Sequence, residues 1–322
     1  MERSELQRKT AVATLSVVSN TVLVALKLAV GLSTGAVSII SEALHSAMDL
    51  LAAIIALLAV RISGRQADED HPYGHGKYEN ISGAVEALLI FVAAGWIIYE
   101  AIHKLMKPTP LESVGWGVLV MLISAVANTI VSARLFKVGK ETDSLALQAD
   151  AWHLRTDVYT SVGVMVGLGL ILGGKLLFPQ SNLDWLDPVA AIGVALLIIK
   201  AAWELTAEAV AGLLDTGLGA EDREWIVEYL RKLQPRVCGY HHLHTRKGGA
   251  TRYIEMHLIV DASLSLSEGH HVTDEVMAAL RERFPRVRVT IHTEPCGEDC
   301  DELCQAGCFL PPDKRHTRQP SQ

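Results

Sequence analysis

The sequence predicts an α-helical membrane protein, with six transmembrane helices followed by a small cytosolic α+β domain of αββαβ order. Three observations predict it. Half of the 322 residues are hydrophobic and the mean hydropathy is +0.26. That is too high for an ordinary soluble domain and too low for a chain lying entirely in a bilayer. Six segments each hold the ~20 mostly apolar residues that a spanning helix requires. After Asp215 the apolar runs stop, and helix-like and strand-like patterns alternate.

The six spans are read at about 11–32, 37–62, 81–104, 113–135, 147–173 and 187–211. The charged stretch 1–10 precedes them as a cytosolic N-terminus. The first apolar segment is read as a retained anchor, because no A-x-A cleavage pattern follows it. Breaks fall at Gly31–Gly35, at Lys107–Pro108–Thr109–Pro110, and between Gly173 and Asp187. The fourth span is the cleanest, with no charge from Val114 to Ala133. Trp96, Trp116, Trp185 and Trp203 lie where interface anchors would.

Loop charges set the orientation. Arg3, Arg8, Lys9, Arg61, Arg65, Lys77, Arg134, Lys137 and Lys140 fall on one side. Lys104, Lys107 and Lys175 fall on the other. The richer side is cytoplasmic by the positive-inside rule, which puts both termini inside. Residues 212–295 form the cytosolic domain. It has helices over Glu221–Leu233 and Leu266–Phe284, strands at Tyr240–His244, Tyr253–Val260 and Val287–His292, and a turn at Lys247–Gly248–Gly249. Residues 296–322, rich in Cys, Gly, Pro and charge, are read as a tail.

Ionisable groups inside a span are costly and mark function by default. The second span carries His45 and Asp49, and the fifth carries His153 and Asp157. Both pairs have i,i+4 spacing, so each His and Asp share one helix face, a turn apart. Two such pairs facing each other offer two imidazoles and two carboxylates, a set suited to a tetrahedral divalent ion and to Zn²⁺ above all. The bland alternative is two His–Asp pairs that satisfy each other within the bundle. Asp150 and Arg155 are read as a structural ion pair or a snorkelling side chain. Lys27, Glu86, Lys200, Glu204 and Glu208 are read near span ends or cavity walls and receive no role. The loop between the second and third spans, with Asp68, His71 and His75, suits a metal or a solvated polar loop about equally.

These residues together resemble the cation diffusion facilitator family, in its bacterial zinc/iron efflux branch. The resemblance covers about residues 8–295. It is carried by SEALHSAMD, DEDHPYGHGKYE, DAWHLRTD, IEMHLIVD and VTIHTEP. It implies a divalent cation/proton antiporter that exports Zn²⁺, or Fe²⁺, Cd²⁺ or Co²⁺, from the cytosol across a bacterial inner membrane. The transport site falls on His45, Asp49, His153 and Asp157. His at the first of these positions, where many bacterial members resembling this chain carry Asp, implies a preference for zinc over cadmium.

The resemblance also implies a loop site at Asp68, His71 and His75. It implies a cytosolic metal site at His241, His257, His292 and Glu294, with His270 as a further ligand. Glu294 stands where the family usually has Asp. His242, His244 and His271 are read as neighbours of that site, and His103 and His316 as incidental. The family also implies a homodimer paired through its cytosolic domains, with Lys77 and Asp215 resembling a charge pair at the membrane–cytosol junction. Zn²⁺ is then cargo and also a structural or regulatory ligand, and protons are the counter-ion.

Other classes fit less well. The formal charge of −7 argues against a nucleic-acid binder. No Walker-type loop is present for ATP, and no H-E-x-x-H motif for an intramembrane metalloprotease. A non-transporting sensor or dimeric scaffold of the same fold is the remaining alternative, although all four transport ligands are present. The resemblance does not reach Cys296, Cys300, Cys304 and Cys308. Their regular spacing in a reducing compartment suits a thiolate metal site or a loose reactive tail. Cys238 is read as a packed small hydrophobe.

Overall fold

In apolar surroundings the backbone has no water to bond to, so the chain satisfies its N–H and C=O groups internally as helices. A computed structural model describes residues 2–34, 37–106, 116–177, 185–297, 302–311 and 315. It divides into two compact units, Met1–Leu213 and Leu214–Gln322.

The first unit holds six long helices: α1 (Glu2–Thr34), α2 (Val37–Ser63), α3 (Lys77–Met106), α4 (Trp116–Glu141), α5 (Leu145–Leu177) and α6 (Leu186–Leu213). Among the described residues, five of them are long and apolar enough to cross a bilayer: α1, α2, α3, α4 and α6. The remaining helix, α5, has 33 residues, or about 50 Å at 1.5 Å per residue, against a hydrocarbon core of about 30 Å. The apolar surface points outward, with Leu88, Val92 and Trp96 of α3 and Leu196, Leu197 and Trp203 of α6 all exposed. Inside, small residues let helices approach closely. Ala87 and Ala94 of α3 and Ala202 and Ala209 of α6 are completely buried in one cluster.

Several helices run further than the apolar pattern predicts. The pattern starts the first span at 11, yet α1 begins at Glu2. Leu6 packs on the core formed by α1, α2, α4 and α5, Lys9 pairs with Glu79, and Arg8 pairs with Glu141. Glu79, 2% exposed, also accepts from Ser63 Oγ at 2.7 Å and from Ser144 Oγ. One buried carboxylate therefore ties together α1, the end of α2, the start of α3 and the residue preceding α5. The Arg155 guanidinium lies over the Phe136 ring, 4.3 Å from the centroid, while Asp150 is fully buried.

The second unit contains α7 (Ala220–Lys232), β1 (Val237–Gly248), β2 (Thr251–Val260), α8 (Leu266–Arg283), β3 (Val287–Pro295) and α9 (Glu302–Ala306). The sheet order is β1-β2-β3, with β1 and β2 antiparallel and β2 and β3 parallel. A parallel pair needs a long crossover, which α8 supplies. Ser265 and Glu268 close a capping box at the start of α8. Gly249, at φ +58°, takes the left-handed position in the β1–β2 turn. Ile226 and Leu230 of α7 and Val272, Val276 and Leu280 of α8 bury against Ile254, Met256 and Leu258 of β2.

Part of the tail is docked on the domain. Cys296 N donates to Val260 O at 2.7 Å, and α9 follows at Glu302. Residues 307–309 then lie along β1: Tyr240 N donates to Gly307 O at 3.2 Å, Phe309 N donates to Cys238 O at 2.8 Å, and Gly239 bridges Cys308. The Phe309 ring packs near Tyr240 and under Arg231. An exposed strand edge offers unpaired backbone groups, and this segment pairs with them. Cys300 lies outside the described residues.

Candidate metal centres

In the first unit the i,i+4 spacing places His45 and Asp49 on one face of α2, and His153 and Asp157 on one face of α5. The two helices meet there with crossed pairs. His153 Nε2 lies 3.1 Å from Asp49 Oδ1, and His45 Nε2 lies 3.6 Å from Asp157 Oδ1. Each imidazole thus faces the carboxylate of the other helix rather than of its own. Ligand atoms of His45, Asp49 and Asp157 all lie within 4.8 Å of one another. Asp49 and His153 are buried, while His45 is exposed and Asp157 half-buried. The four line a cavity of about 520 Å³ that also reaches Lys27, Glu42 and Asn128. Two imidazole nitrogens and two carboxylates around such a space fit a small divalent cation.

Asn128 escaped the sequence reading, whereas Lys27, read near a span end or cavity wall without a role, does line the cavity. Asn128 of α4 donates from Nδ2 to Asp157 Oδ2 at 3.3 Å. Its signal was a lone amide in the cleanest apolar span, where attention to charge passed it over. Lys27 of α1 donates to Glu42 Oε1 at 3.0 Å and to Ser46 Oγ at 2.7 Å, so a cation is held in the cavity wall.

The loop before α3 brings Asp68, His71 and His75 together, again with ligand atoms within 4.8 Å. Asp68 Oδ1 accepts from His71 N at 2.7 Å and lies 3.3 Å from His71 Nδ1, while Oδ2 lies 3.4 Å from His75 Nε2. The backbone N–H of His71, helped by both imidazoles, holds the Asp68 carboxyl below its ordinary value. Gly74, at φ +87°, makes the turn that folds the two imidazoles to one side, with ring centroids 4.3 Å apart.

In the second unit strand register does the positioning. His241 pairs with His257 across the antiparallel ladder, and His257 with His292 across the parallel one. Three histidines thus form one row across three strands. Ring centroids are 4.8 Å apart at each step, matching the ~4.8 Å strand spacing. Glu294 reaches the row from two residues beyond His292. Its Oε2 lies 2.9 Å from His241 Nε2 and its Oε1 lies 2.7 Å from His257 Nδ1. Burial works to raise this carboxyl, but the bonds to His241 and His257 outweigh it and hold it below its ordinary value. His292 is more distant, with Nε2 3.5 Å from Glu294 Oε1. His270 stands on α8, exposed, 3.5 Å from Asp274, and does not join the row within this chain. His242 occupies a bulge at φ +49°, its ring 5.0 Å from that of His257.

Cys238 is buried. Burial pushes its thiol up to about 12, with Cys296, Asp261 and Cys308 adding to the effect. The Cys238 and Cys296 side chains are hydrogen-bonded to each other.

Comparison with known proteins covers nearly the whole chain. A family model described as the cation efflux transmembrane domain matches residues 13–214, and one described as the cation efflux protein cytoplasmic domain matches residues 218–296. An uncharacterised transporter of Synechocystis, sll1263, is 34% identical over 270 residues, covering 84% of this chain and 85% of that protein. The cation-efflux pump FieF of Salmonella newport is 34% identical over 265 residues, covering 82% and 85%. A solved structure of the putative zinc transporter CzrB is 36% identical over 25% of this chain and all of its own, at a TM-score of 0.24.

Proposed function

The chain belongs to the cation efflux, or cation diffusion facilitator, family of membrane transporters that move divalent metal ions out, and from that premise we propose that it exports Zn²⁺ from the cytosol in exchange for protons. The crossed His–Asp pairing between α2 and α5 carries this reading. Neutral imidazole and ionised carboxylate are the metal-binding forms, so protons compete with metal for the same atoms. Imidazole titrates near neutral pH, where an inward proton gradient can displace the ion. His45, Asp49, His153 and Asp157 hold the cargo.

With both termini in the cytosol, α1 runs outward and α2 returns. Lys27 and Glu42 then lie on the outer side of His45 and Asp49, and the cavity reaching them is the exit route. A charge-rich inner end and a bacterial inner membrane accord with this placement. Asp68, His71 and His75 form a loop site at the cytosolic surface. His241, His257, His292 and Glu294 hold a regulatory ion in the cytosolic domain, through which two chains pair as a homodimer. His270 joins that site only from outside the strand row. Metal bound there favours the paired form to the extent that it binds that form more tightly.

The test is Zn²⁺ flux in proteoliposomes under an imposed pH gradient, wild type beside Asp49→Ala. Gradient-dependent flux in the wild type and none in the variant is expected. Equal, gradient-blind signals from both would overturn the reading in favour of a non-transporting sensor or scaffold.

A further inference from the structure

We propose that Cys238, Cys296, Cys304 and Cys308 form a thiolate site for a soft, thiophilic metal cation, separate from the three histidine–carboxylate clusters. The site joins the two ends of the tail to the start of β1. From one side, Cys308 is bridged to Gly239, and Phe309 N bonds the carbonyl of Cys238 itself at 2.8 Å. From the other side, Cys296 N bonds the carbonyl of Val260 at 2.7 Å, and Val260 is the register partner of Val237. The residues flanking Cys238 in sequence are thus the anchor points toward both other thiols, and Cys238 and Cys296 already share a hydrogen bond.

Cys304 belongs with Cys308. They are four residues apart, and the helical turn continues past α9 through Gly307 N to Leu303 O at 3.3 Å, so both thiols lie on one face. Cys296, Cys304 and Cys308 are half-buried, which gives an ion access that a core cysteine lacks.

The chemistry of four thiolates is selective. Sulfur ligands in tetrahedral number favour Zn²⁺ and related soft ions over hard ions. Among the described residues, the groups with three ligand atoms already within 4.8 Å are the histidine–carboxylate ones. The thiols close on an ion by a change of rotamer at the half-buried Cys304 and Cys308. Such an ion would pin the tail along β1, next to the histidine row at His241. This proposal does not depend on proton antiport, and its readout is independent of transport.

All five cysteines of the chain lie between 238 and 308, so thiolate bound to metal in the full-length protein reports on this region. The experiment is zinc-edge X-ray absorption on full-length protein purified under reducing conditions and loaded with Zn²⁺, followed by Cd²⁺ titration read by thiolate-to-cadmium charge-transfer absorption. The wild type should show a sulfur shell at about 2.3 Å and the cadmium band. Cys308→Ser alone, and Cys238→Ser with Cys308→Ser, should lose both signals and about one bound ion per chain. Asp49→Ala and Cys300→Ser should keep the sulfur shell. A wild type without metal–sulfur scattering overturns the proposal. So does a shell that survives Cys238→Ser with Cys308→Ser, which would mark a site confined to the rest of the tail. A Cys238–Cys296 disulfide in the reduced preparation would overturn it too.

Discussion

Asn128→Ala should weaken zinc binding at the intramembrane site about tenfold while leaving the protein folded. Asn128 is buried on α4, and its Nδ2 donates to Asp157 Oδ2 at 3.3 Å. That bond fixes the carboxylate plane so that Oδ1 faces His45, 3.6 Å away. A hydrogen bond to a charged group contributes about 1.5–3 kcal/mol. At 3.3 Å the bond lies just beyond the usual N–H···O range, so the lower end, about 1.5 kcal/mol, applies. That converts to about tenfold in dissociation constant. Loss of a group that orients a metal ligand spans the same range, about 10- to 100-fold. Among the described residues the amide's own Oδ1 is a buried acceptor with no hydrogen-bond partner, so its removal also relieves a cost and protects stability. Calorimetric zinc titration in detergent, with flux measured over a zinc series in proteoliposomes, would read the change as a raised KM. Thermal unfolding in the same detergent separates a ligand-orienting role from a folding one. Zinc affinity within twofold of wild type, or a loss of affinity that tracks a loss of stability, would refute the reasoning.

Other expectations follow from the same geometry. His45→Asp adds a carboxylate to a site that already has two, and should raise acceptance of Cd²⁺ relative to Zn²⁺ in competitive flux; an unchanged ratio would remove the selectivity argument. Glu79→Ala strands Lys9 in a buried position and should cost about 3–5 kcal/mol, read as a lowered unfolding midpoint in detergent. Ser265→Ala should destabilise α8 by about 1 kcal/mol. Glu268, held below its ordinary value by the side chain and backbone of Ser265, contributes above its unfolded pKa near 4.5. That contribution is lost as pH falls through the lower folded value, so wild type and Glu268→Gln should differ in stability at pH 7 and converge in acid. Phe309→Ala should cost about 1–3 kcal/mol through lost burial and speed alkylation of Cys238, because Phe309 helps hold the tail over β1.

The parts legible in the sequence are those set by local period. An i,i+4 His–Asp pair must share a helix face, and apolar runs of span length must fold as helices, so the shared faces of His45 with Asp49 and of His153 with Asp157, and the helices that carry them, could be read directly. Partners across elements were not legible. Nothing in the spacing says that His45 answers Asp157 rather than Asp49, because that depends on how α2 and α5 lie against each other. The row of His241, His257 and His292 depends on two strand registers, which a single strand pattern does not fix. The tail defeated the reading for a different reason. Its docking uses backbone groups of Tyr240, Gly307, Cys238 and Phe309, and these are invisible to side-chain patterning. Glycine, proline and charge pointed to a tail, and within it residues 307–309 pair with the edge of β1. Helix ends were misplaced where polar residues find buried partners, as Lys9 does on Glu79.

The crossed pairing also constrains the proposed exchange. Two carboxylates in a cavity with apolar walls are costly to leave charged without compensation. Lys27 does not supply it to them, since it is engaged with Glu42 and Ser46. Compensation then comes from metal or from protons taken up by this His–Asp set, on His45 and His153 or on the carboxylates themselves. Each of those imidazoles already faces a carboxylate of the opposite helix. A proton on either one draws α2 and α5 together through a His–Asp pair, and a metal draws them together through the same atoms. With no metal bound and both imidazoles neutral, the charges of Asp49 and Asp157 are left uncompensated in the cavity, which makes this the least stable of the three states. A carrier that passes from metal-loaded to proton-loaded while avoiding that state couples the two fluxes without any further gate. The coupling then depends on the crossing itself: replacing both histidines should leave metal leakage without proton drive, whereas removing either carboxylate should stop transport.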